Sequence, residues 1–548
     1  MKQNKPAKND IIELKIESVC GNGNGVAHTV DGMCVFVTGG AEGDVVDARV
    51  IKVAKSYLVA RIERIITPSE SRIECECEVG GKCGGCVFGH VSYEFEAMYK
   101  KNLIEDCIKR IGGLDVKLSA FHAAKSQKAY RNKAIYPVGT SKDGKLIFGF
   151  YAGNSHRIVE HSECLIGKPE YTQVCKSVIS FCEQNGITAY DELTGKGLIR
   201  SIYIRGAQSG EMLLTLILND RKFKSQQLEN EFCAYITERH NIVSVCINVN
   251  TESTNSLLSS EWRTLCGDGY LTETLCGKTF RISPAAFFQV NKEQTEVLYS
   301  EAARLADIKP GERVLDLYCG TGTIGICLAN DGCKLTGVEI SKEATIDAAY
   351  NAGVNGVDGE FICLDAGEAL NSERVKSVKP NVVILDPPRK GCGIEAVRRI
   401  CDLGMGRIVY ISCDPATLAR DLAEFSRLGF EVREAVGVDL FPRTGHVETV
   451  CLLSKLNAKQ HIEINLDMDE LDLTDAEKKA TYQEIKDYVL EHSGLKVSSL
   501  YIAQVKQQCG IIERENYNKP KSEDAKQPQC PPDKEKEIKE PLTHFGMI

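Results

Sequence analysis

A reactive cysteine is predicted where a strand gives way to a helix. Arg407 to Ser412 is a β-branched and aromatic run behind glycines, which predicts a short buried strand. Asp414 suits a helix N-cap, and Pro415 suits the first helical position. Cys413 would then lie at the carboxyl end of a strand, where open α/β sheets bind ligands and a helix start favours thiolate over thiol. The alternative is a buried structural cysteine.

A second group of cysteines has the spacing of a metal centre. Cys77, Cys83 and Cys86 form a C-x5-C-x2-C pattern with glycines that let the loop wrap around a metal. A fourth ligand is needed, and Cys164 offers one after a long insertion. Thiolate ligands suit zinc or an iron–sulfur cluster, and the spacing does not decide between them. Cys75 is a spare that could compete for ligation, and unliganded cysteines are the alternative.

Two turns predict a cofactor site. Gly320 to Gly325 matches G-x-G-x-x-G, so a nicotinamide-binding domain must be weighed, but a lone match is weak. Glu339 ends the next predicted strand, where an acid can bind ribose hydroxyls in either cofactor class. Asp386-Pro-Pro ends a later strand. Such a turn beside the cofactor is characteristic of S-adenosylmethionine enzymes that methylate bases, and a simple proline turn is the alternative.

The elements that position these residues alternate between strand and helix from about residue 280. The predicted strands are residues 314–317, 334–339, 381–386, 407–412 and 447–453. This alternation predicts an α/β doubly wound, Rossmann-like sheet. Nearer the start, residues 32–38, 44–51 and 56–62 are short strands between glycine-rich turns, which predict a small OB-like β-barrel. That pattern resembles a TRAM domain, an RNA-binding module, with a barrel of no nucleic-acid role as the alternative.

The composition limits the class of protein. The chain has 548 residues, 43% of them hydrophobic and 26% charged, which is ordinary for several globular domains. Its start is polar and no apolar run approaches about 20 residues, so we expect a cytoplasmic protein without a membrane span. With 24 cysteines, thiol or metal chemistry is expected rather than disulfides. The net charge of −9 does not exclude a local positive face for phosphates.

These features together resemble the RNA (uracil-5-)-methyltransferase family, and within it the branch that modifies 23S rRNA. The resemblance covers roughly residues 10–455 and includes the barrel and the four cysteines. Its other motifs are Phe287-Phe-Gln-Val-Asn291, Asp316-Leu-Tyr-Cys-Gly-Thr-Gly322, Asp386-Pro-Pro-Arg-Lys-Gly391, Ser412-Cys-Asp-Pro415 and Asp439-Leu-Phe-Pro-Arg-Thr-Gly-His-Val-Glu448.

The resemblance implies a role for each site residue. Cys413 would be the nucleophile and Glu448 the base. The residues implied to contact S-adenosylmethionine are Gln289, Tyr318, Glu339 and Asp386. The residues implied to hold a [4Fe-4S] cluster are Cys77, Cys83, Cys86 and Cys164. Relatives carry other residues at Tyr318 and Thr323. The implied partner is RNA, with no membrane, and the protein is expected to act as a monomer.

The chemistry of uracil explains why such residues are needed. Carbon 5 of uracil is too poor a nucleophile to attack a methyl sulfonium directly. A thiolate that adds to carbon 6 places electron density at carbon 5, and a base later removes the carbon-5 proton so that the thiol can leave. The base must leave its stack to reach the thiol. Phe287 and Phe288 could stack on it, although core packing is expected for at least one of them.

The predicted domains are a TRAM domain at 8–67, an iron–sulfur central domain at 68–279, a methyltransferase domain at 280–456 and a helical, partly disordered extension at 457–548. The extension lies outside the resemblance. It contains a predicted helix at 471–490 with Thr474 as N-cap, a second helix at 498–508, and a loose linker at 516–540.

Other functions stay open at this stage. The same fold could act on a tRNA uridine or on an adenine N6 amine, or the chain could be an RNA-binding iron–sulfur protein with secondary methylation activity. Cys413 with Glu448 favours the pyrimidine enzyme, because methylation of an amine needs no thiol.

Overall fold

The computed structural model describes residues 6–153, 155–252, 256–456, 482–493, 495–509 and 530–544. The chain divides into two compact units, Met1–Ala458 and Lys459–Ile548, and each is described by itself. Within the described ranges, none of the helices has the length and apolar character that a membrane crossing requires.

The first unit begins with a six-stranded sheet in the order β1-β5-β6-β4-β3-β2. Its strands are β1 (Ile11–Lys15), β2 (Ser18–Val19), β3 (Asn24–His28), β4 (Cys34–Thr38), β5 (Val45–Val53) and β6 (Tyr57–Thr67). Alternate residues such as Val46, Ala48 and Val50 face a small apolar core, as expected for half-buried strands. The three strands predicted in this region are therefore confirmed.

Helix α1 (Tyr93–Arg110) and strand β7 (Ala120–His122) precede a seven-stranded sheet. The strands of that sheet are β8 (Lys133–Thr140), β9 (Leu146–Tyr151), β10 (Ile158–Glu160), β11 (Ile199–Gly206), β12 (Met212–Leu218), β13 (Ile242–Val249) and β14 (Trp262–Cys266). Their order is β10-β9-β8-β11-β12-β13-β14. Helices α2 (Pro169–Gln184) and α3 (Gln226–Thr237) pack their apolar residues against it, and the hairpin of β15 (Leu271–Leu275) and β16 (Lys278–Ile282) follows.

The third sheet has eight strands in the order β19-β18-β17-β20-β21-β23-β22-β7. Its further strands are β17 (Arg313–Leu317), β18 (Lys334–Glu339), β19 (Gly359–Cys363), β20 (Val382–Leu385), β21 (Arg407–Ser412), β22 (Phe430–Val438) and β23 (Glu448–Lys455). Its helices are α4 (Lys292–Ala306), α5 (Thr323–Leu328), α6 (Lys342–Val354), α7 (Ala366–Asn371), α8 (Glu373–Lys376), α9 (Ile394–Asp402) and α10 (Pro415–Arg427).

The predicted doubly wound fold is confirmed. Strands β19, β18, β17, β20 and β21 are parallel, and the strand order reverses between β17 and β20. Such a reversal opens a crevice at the carboxyl ends of the strands, where ligands bind. Strand β23 runs antiparallel to β21, with Ser412 opposite Thr449, so its first residues lie at the same edge of the sheet.

Part of the predicted central domain belongs to this third sheet. Strand β7 pairs with β22, and Ile104 and Ile108 of α1 share an apolar core with Leu418 and Leu422 of α10. The segment from α1 to β7, which precedes residue 280, therefore packs with the methyltransferase region. Helix α1 does so because its apolar face is buried against α10.

The second unit contains α11 (Tyr482–Ser493), α12 (Ser499–Gln508) and α13 (Pro532–His544). Its apolar core includes Ile485, Val489, Ile502, Ile538 and Leu542. The predicted helix at 498–508 is confirmed, whereas Thr474 and most of the helix predicted at 471–490 lie outside the described residues. The linker predicted at 516–540 is wrong from residue 532 onwards, because Ile538 and Leu542, one helical turn apart, pack into this core.

Candidate active site

All the predicted site residues line one cavity of about 2100 Å³. They are Gln289, Tyr318, Glu339, Asp386, Cys413, Glu448, Cys77, Cys83, Cys86 and Cys164. Tyr318, Asp386 and Cys413 directly follow β17, β20 and β21, and Glu339 ends β18. Glu448 is the first residue of antiparallel β23, so it reaches the same edge from the opposite direction.

The glycine-rich turn after β17 is hydrogen-bonded to Glu339, the last residue of β18. Glu339 accepts hydrogen bonds from the Gly320 amide at 3.0 Å and from the Ser341 amide at 2.8 Å. Tyr318 and Gly320 both have left-handed backbones, with φ of 68° and 56°. A Cβ built on Gly320 would meet no atom within 4 Å, so open space lies against this turn. The turn can therefore take a ligand against its backbone.

The predicted N-cap of α10 is confirmed, but the pKa of Cys413, which precedes the cap, is not lowered by the helix start. The Asp414 side chain accepts hydrogen bonds from the amides of Ala416 at 3.0 Å and Thr417 at 2.9 Å, and Pro415 begins the helix. The pKa of the Cys413 thiol was expected to fall at this helix start. Instead, burial and the neighbouring Glu448 and Asp386 carboxylates raise this pKa to about 12. The helix dipole is worth too little to offset these effects.

Two carboxyl groups share the cavity with the thiol, the half-buried Asp386 and the buried Glu448. Burial raises the pKa of Asp386 to about 7. Burial and the charge of Asp386 raise the pKa of Glu448 well above its usual range. Among the described residues, Oε2 of Glu448 is buried without a hydrogen-bond partner. A buried carboxylate with a free oxygen and an elevated pKa is suited to accept a proton.

Arg389 supplies a positive charge that the sequence reasoning did not single out. Its guanidinium lowers the pKa of both Cys413 and Glu448, against the larger effects of burial. Its Nη2 lies 3.0 Å from Nε2 of His446. Both residues belong to motifs already recognised, but these motifs are 57 residues apart, so only the fold shows their contact.

The turn that carries Asp386 is fastened to the helix that follows Cys413. Thr417 Oγ1 donates to the Arg389 carbonyl oxygen at 3.0 Å, and Asp421 accepts from the Cys392 amide at 2.8 Å. Asp421 also accepts from the Tyr410 hydroxyl at 2.7 Å. These bonds fix the carboxylate of one strand end against the thiol of the next.

The cysteine loop, residues 74–90, forms another wall of the cavity. Burial, and to a smaller extent the charges of Cys164, Cys83 and Cys77, raise the pKa of Cys86 to about 12. The four predicted ligands are therefore close neighbours. Over the ranges that the structure describes, no group of three or more His, Cys, Asp or Glu side chains is arranged to hold a metal ion. Cys75 is enclosed by the loop, since Cβ atoms added at Gly80 or Gly89 would crowd its sulfur.

Comparisons with known proteins agree with this geometry. A family model described as tRNA (Uracil-5-)-methyltransferase matches residues 259–456, and the TRAM domain model matches residues 8–62. An uncharacterized RNA methyltransferase of Clostridium tetani is 37% identical over 464 residues, which cover 84% of this chain and 100% of that protein. The chain belongs to the RNA (uracil-5-)-methyltransferase family.

Two further proteins match most of the length of this methyltransferase. An uncharacterized RNA methyltransferase of Halalkalibacterium halodurans is 37% identical over 464 residues, covering 83% of this chain and 100% of that protein. The solved Pyrococcus abyssi tRNA (uracil-54, C5)-methyltransferase, in complex with S-adenosyl-L-homocysteine, has a TM-score of 0.65 and 25% identity. That match covers 80% of this chain and 99% of the other. The methyltransferase is thus an S-adenosylmethionine-dependent enzyme that methylates uracil in RNA.

The elevated pKa of Cys413 has a measurable consequence. Alkylation of Cys413 by iodoacetamide in the free enzyme should speed up about tenfold per pH unit from pH 7 to pH 9, because the thiolate fraction rises tenfold per unit below the pKa. Peptide mass spectrometry over time measures the rate. Exposed Cys276, whose pKa is lowered by a hydrogen bond with Cys327, is the internal comparison and should react faster at pH 7. A plateau of the Cys413 rate below pH 8 would contradict this.

Proposed function

We propose that this methyltransferase modifies carbon 5 of a specific uridine in 23S rRNA through a covalent bond between Cys413 and carbon 6 of the base. The observation that carries the proposal is the shared cavity of Cys413, Glu448 and Asp386. A half-buried thiol that shares a cavity with a buried carboxylate suits attack on a pyrimidine followed by removal of a proton.

The residues of the cavity fit S-adenosylmethionine. The open turn at Gly320 leaves space for an adenosyl group, and the bonded Glu339 carboxylate keeps acceptor capacity for ribose hydroxyls. We propose that Gln289, Tyr318, Glu339 and Asp386 hold the cofactor. When bound, S-adenosylmethionine supplies an electrophilic methyl group on a sulfonium.

We propose one task for each catalytic group. The Cys413 thiol loses its proton to water, the resulting thiolate adds to carbon 6 of uracil, and the electron pair of the carbon 5–carbon 6 double bond moves into an enolate. Carbon 5 accepts the methyl group and still carries its proton. Glu448 takes that proton through its unpaired Oε2, the double bond re-forms, and the Cys413 thiolate leaves. Arg389 favours the thiolate at the first step.

The target base must leave its stack to reach Cys413. Phe287 is 61% exposed and lines the cavity, whereas Phe288 is 3% exposed and packs in the core. We therefore propose Phe287 as the ring that stacks on the displaced uracil, and Phe288 as its structural support. The sequence alone did not distinguish the two.

We propose that Cys77, Cys83, Cys86 and Cys164 hold a [4Fe-4S] cluster. Their mutual proximity beside the cavity supports this, and a cluster of four irons and four sulfides spans a wider ligand set than one ion. The cluster would tie the cysteine loop to the segment around Cys164 and needs no role in methyl transfer.

Protein purified without oxygen should be brown and contain iron and sulfide. Cys77→Ser should lose the cluster, because a thiolate ligand is removed. Cys75→Ser is the matched control and should retain it, since the Cys75 sulfur is enclosed between Gly80 and Gly89. Iron and acid-labile sulfide analysis with the visible spectrum measures this. One zinc without sulfide, or cluster loss in Cys75→Ser alone, would overturn the assignment.

The RNA target is tested with labelled S-adenosylmethionine and separate 23S rRNA and tRNA transcripts, followed by mapping of the modified base. We expect 5-methyluridine at one or more positions of the rRNA. The second candidate is tRNA uridine, because 99% of the Pyrococcus abyssi enzyme, whose stated substrate is tRNA, aligns with this chain. Methylation of the tRNA transcript alone would select it. Absence of methyl transfer to both would contradict both candidates and point to another RNA as the substrate.

A further inference from the structure

The segment between β22 and β23 is anchored to a buried cation of helix α1. Lys100 Nζ donates to Asp439 Oδ1 at 2.8 Å and to the Phe441 carbonyl oxygen at 3.1 Å. The same ammonium donates to Glu96 Oε1, one turn earlier on α1, at 2.7 Å. The side chains of Lys100, Glu96 and Asp439 are fully buried. Because loss of one partner would leave a buried charge unpaired, the start of the segment is firmly held.

Arg443, within this segment, has a backbone that favours glycine. Its φ is 68°, in the left-handed region. Its amide donates to Glu96 Oε1 at 2.7 Å, and its Nη1 donates to the Val91 carbonyl oxygen at 2.9 Å. Its carbonyl oxygen accepts from the amides of Val87 at 2.9 Å and Phe88 at 3.2 Å. Backbone strain of this kind persists only where surrounding contacts impose it.

Beyond Arg443 the segment has little room before it reaches the active site. A Cβ added at Gly445 would lie 1.9 Å from the Gly21 carbonyl oxygen, so the two backbones touch. Nε2 of His446 lies 3.0 Å from the active-site guanidinium. Glu448 begins β23 two residues later. Only four residues, in close contact with their surroundings, separate Arg443 from the buried Glu448 carboxylate.

We propose that Arg443 is a positioning residue, through which the cysteine loop and helix α1 set the place of Glu448. Val87 and Phe88, whose amides donate to the Arg443 carbonyl oxygen, directly follow Cys86. A well-ordered cysteine loop would therefore also hold Arg443, and with it the segment that leads to Glu448. This inference rests on the proposed function of Glu448 as the base. It adds a residue whose type matters although it touches none of the reacting atoms.

Arg443→Gly is the informative substitution. Glycine accepts the left-handed backbone without strain, so the substitution adds no backbone clash and removes only the guanidinium with its hydrogen bond to the Val91 carbonyl oxygen, which is expected to loosen the segment. A displaced Glu448 should slow release of the methylated RNA, lowering turnover on the order of tenfold to a hundredfold. The covalent RNA adduct should accumulate on denaturing gels, with unchanged affinity for S-adenosylmethionine. Arg443→Lys, which keeps a cation, should recover part of the turnover. Arg433→Ala, at a half-exposed arginine of β22, is the control and should behave as wild type.

A second measurement does not depend on catalysis. Amide hydrogen exchange in peptides covering residues 441–448 should be on the order of tenfold faster in Arg443→Gly, with α10 peptides unchanged. Wild-type exchange and turnover in Arg443→Gly would overturn the proposal, and so would lost turnover without adduct. A wild-type enzyme that forms no RNA adduct would instead refute the proposed function, while the exchange result would still decide whether Arg443 holds this segment.

Discussion

Cys413→Ala should transfer no methyl group to RNA and should form no covalent RNA adduct, while it still binds S-adenosylmethionine. The expected loss is at least about 10⁴-fold, because carbon 5 of uracil is not activated without the thiolate and the remaining site only orients the reactants. Labelled RNA on a denaturing gel shows the adduct, and methyl incorporation gives the rate.

Cys401→Ala is the matched control for this change. Cys401 is a half-buried thiol of α9 whose pKa burial also raises to about 12, but it does not line the cavity. It should retain wild-type turnover. An adduct that persists in Cys413→Ala would point to another nucleophile, and equal losses in both variants would indicate general disruption of the sheet.

Glu448→Gln should still form the adduct and accept the methyl group, and then stall with protein and RNA joined. The amide has nearly the same shape as the carboxyl group but cannot take the carbon-5 proton. Turnover should fall about 10²- to 10⁴-fold, the usual contribution of a general base. A slow band on a denaturing gel, absent with Cys413→Ala, reads the stalled species directly.

Glu434→Gln is the corresponding control, because Glu434 lies on neighbouring β22 and pairs with Arg304 away from the cavity. It should turn over normally. Full turnover by Glu448→Gln would remove Glu448 from the mechanism. Loss of adduct together with loss of turnover would show instead that Glu448 acts before or during attack by Cys413.

Cys413→Ala and Glu448→Gln together test whether attack by the thiolate precedes removal of the carbon-5 proton. The ionisation of the site bears on this order. Burial raises the pKa of both Cys413 and Glu448; Glu448 and Asp386 raise the pKa of Cys413 further, and Asp386 raises the pKa of Glu448. Because these three acidic groups share one cavity, they are not all expected to be charged at once, and at least one proton is expected to stay on them in the free enzyme. Cys413 must lose its proton before the attack, whereas Glu448 must accept a proton only after methyl transfer. The two groups therefore need not be charged at the same step.

Local sequence was sufficient for much of this site. The strand 407–412, the Asp414 cap and Pro415 are short-range features, so the place of Cys413 could be predicted and is confirmed. The carboxyl ends of neighbouring parallel strands meet at one edge, which is why Glu339 and Asp386 could be grouped in advance, whereas Tyr318 was implied only by the family resemblance. The roles assigned to these residues stay predictions.

The tertiary structure decided what depends on contacts between distant segments. The acidity of Cys413 was predicted with the wrong sign, because its pKa depends on burial and on carboxylates carried by β23 and the end of β20. Only the fold shows that β7 pairs with β22 and that α1 packs against α10. Only the fold shows, too, that the Arg443 carbonyl oxygen accepts hydrogen bonds from the amides of Val87 and Phe88, more than 350 positions earlier. Spacing along the chain determines helices, strands and caps, whereas burial and charge at a site are set by side chains that only folding brings together.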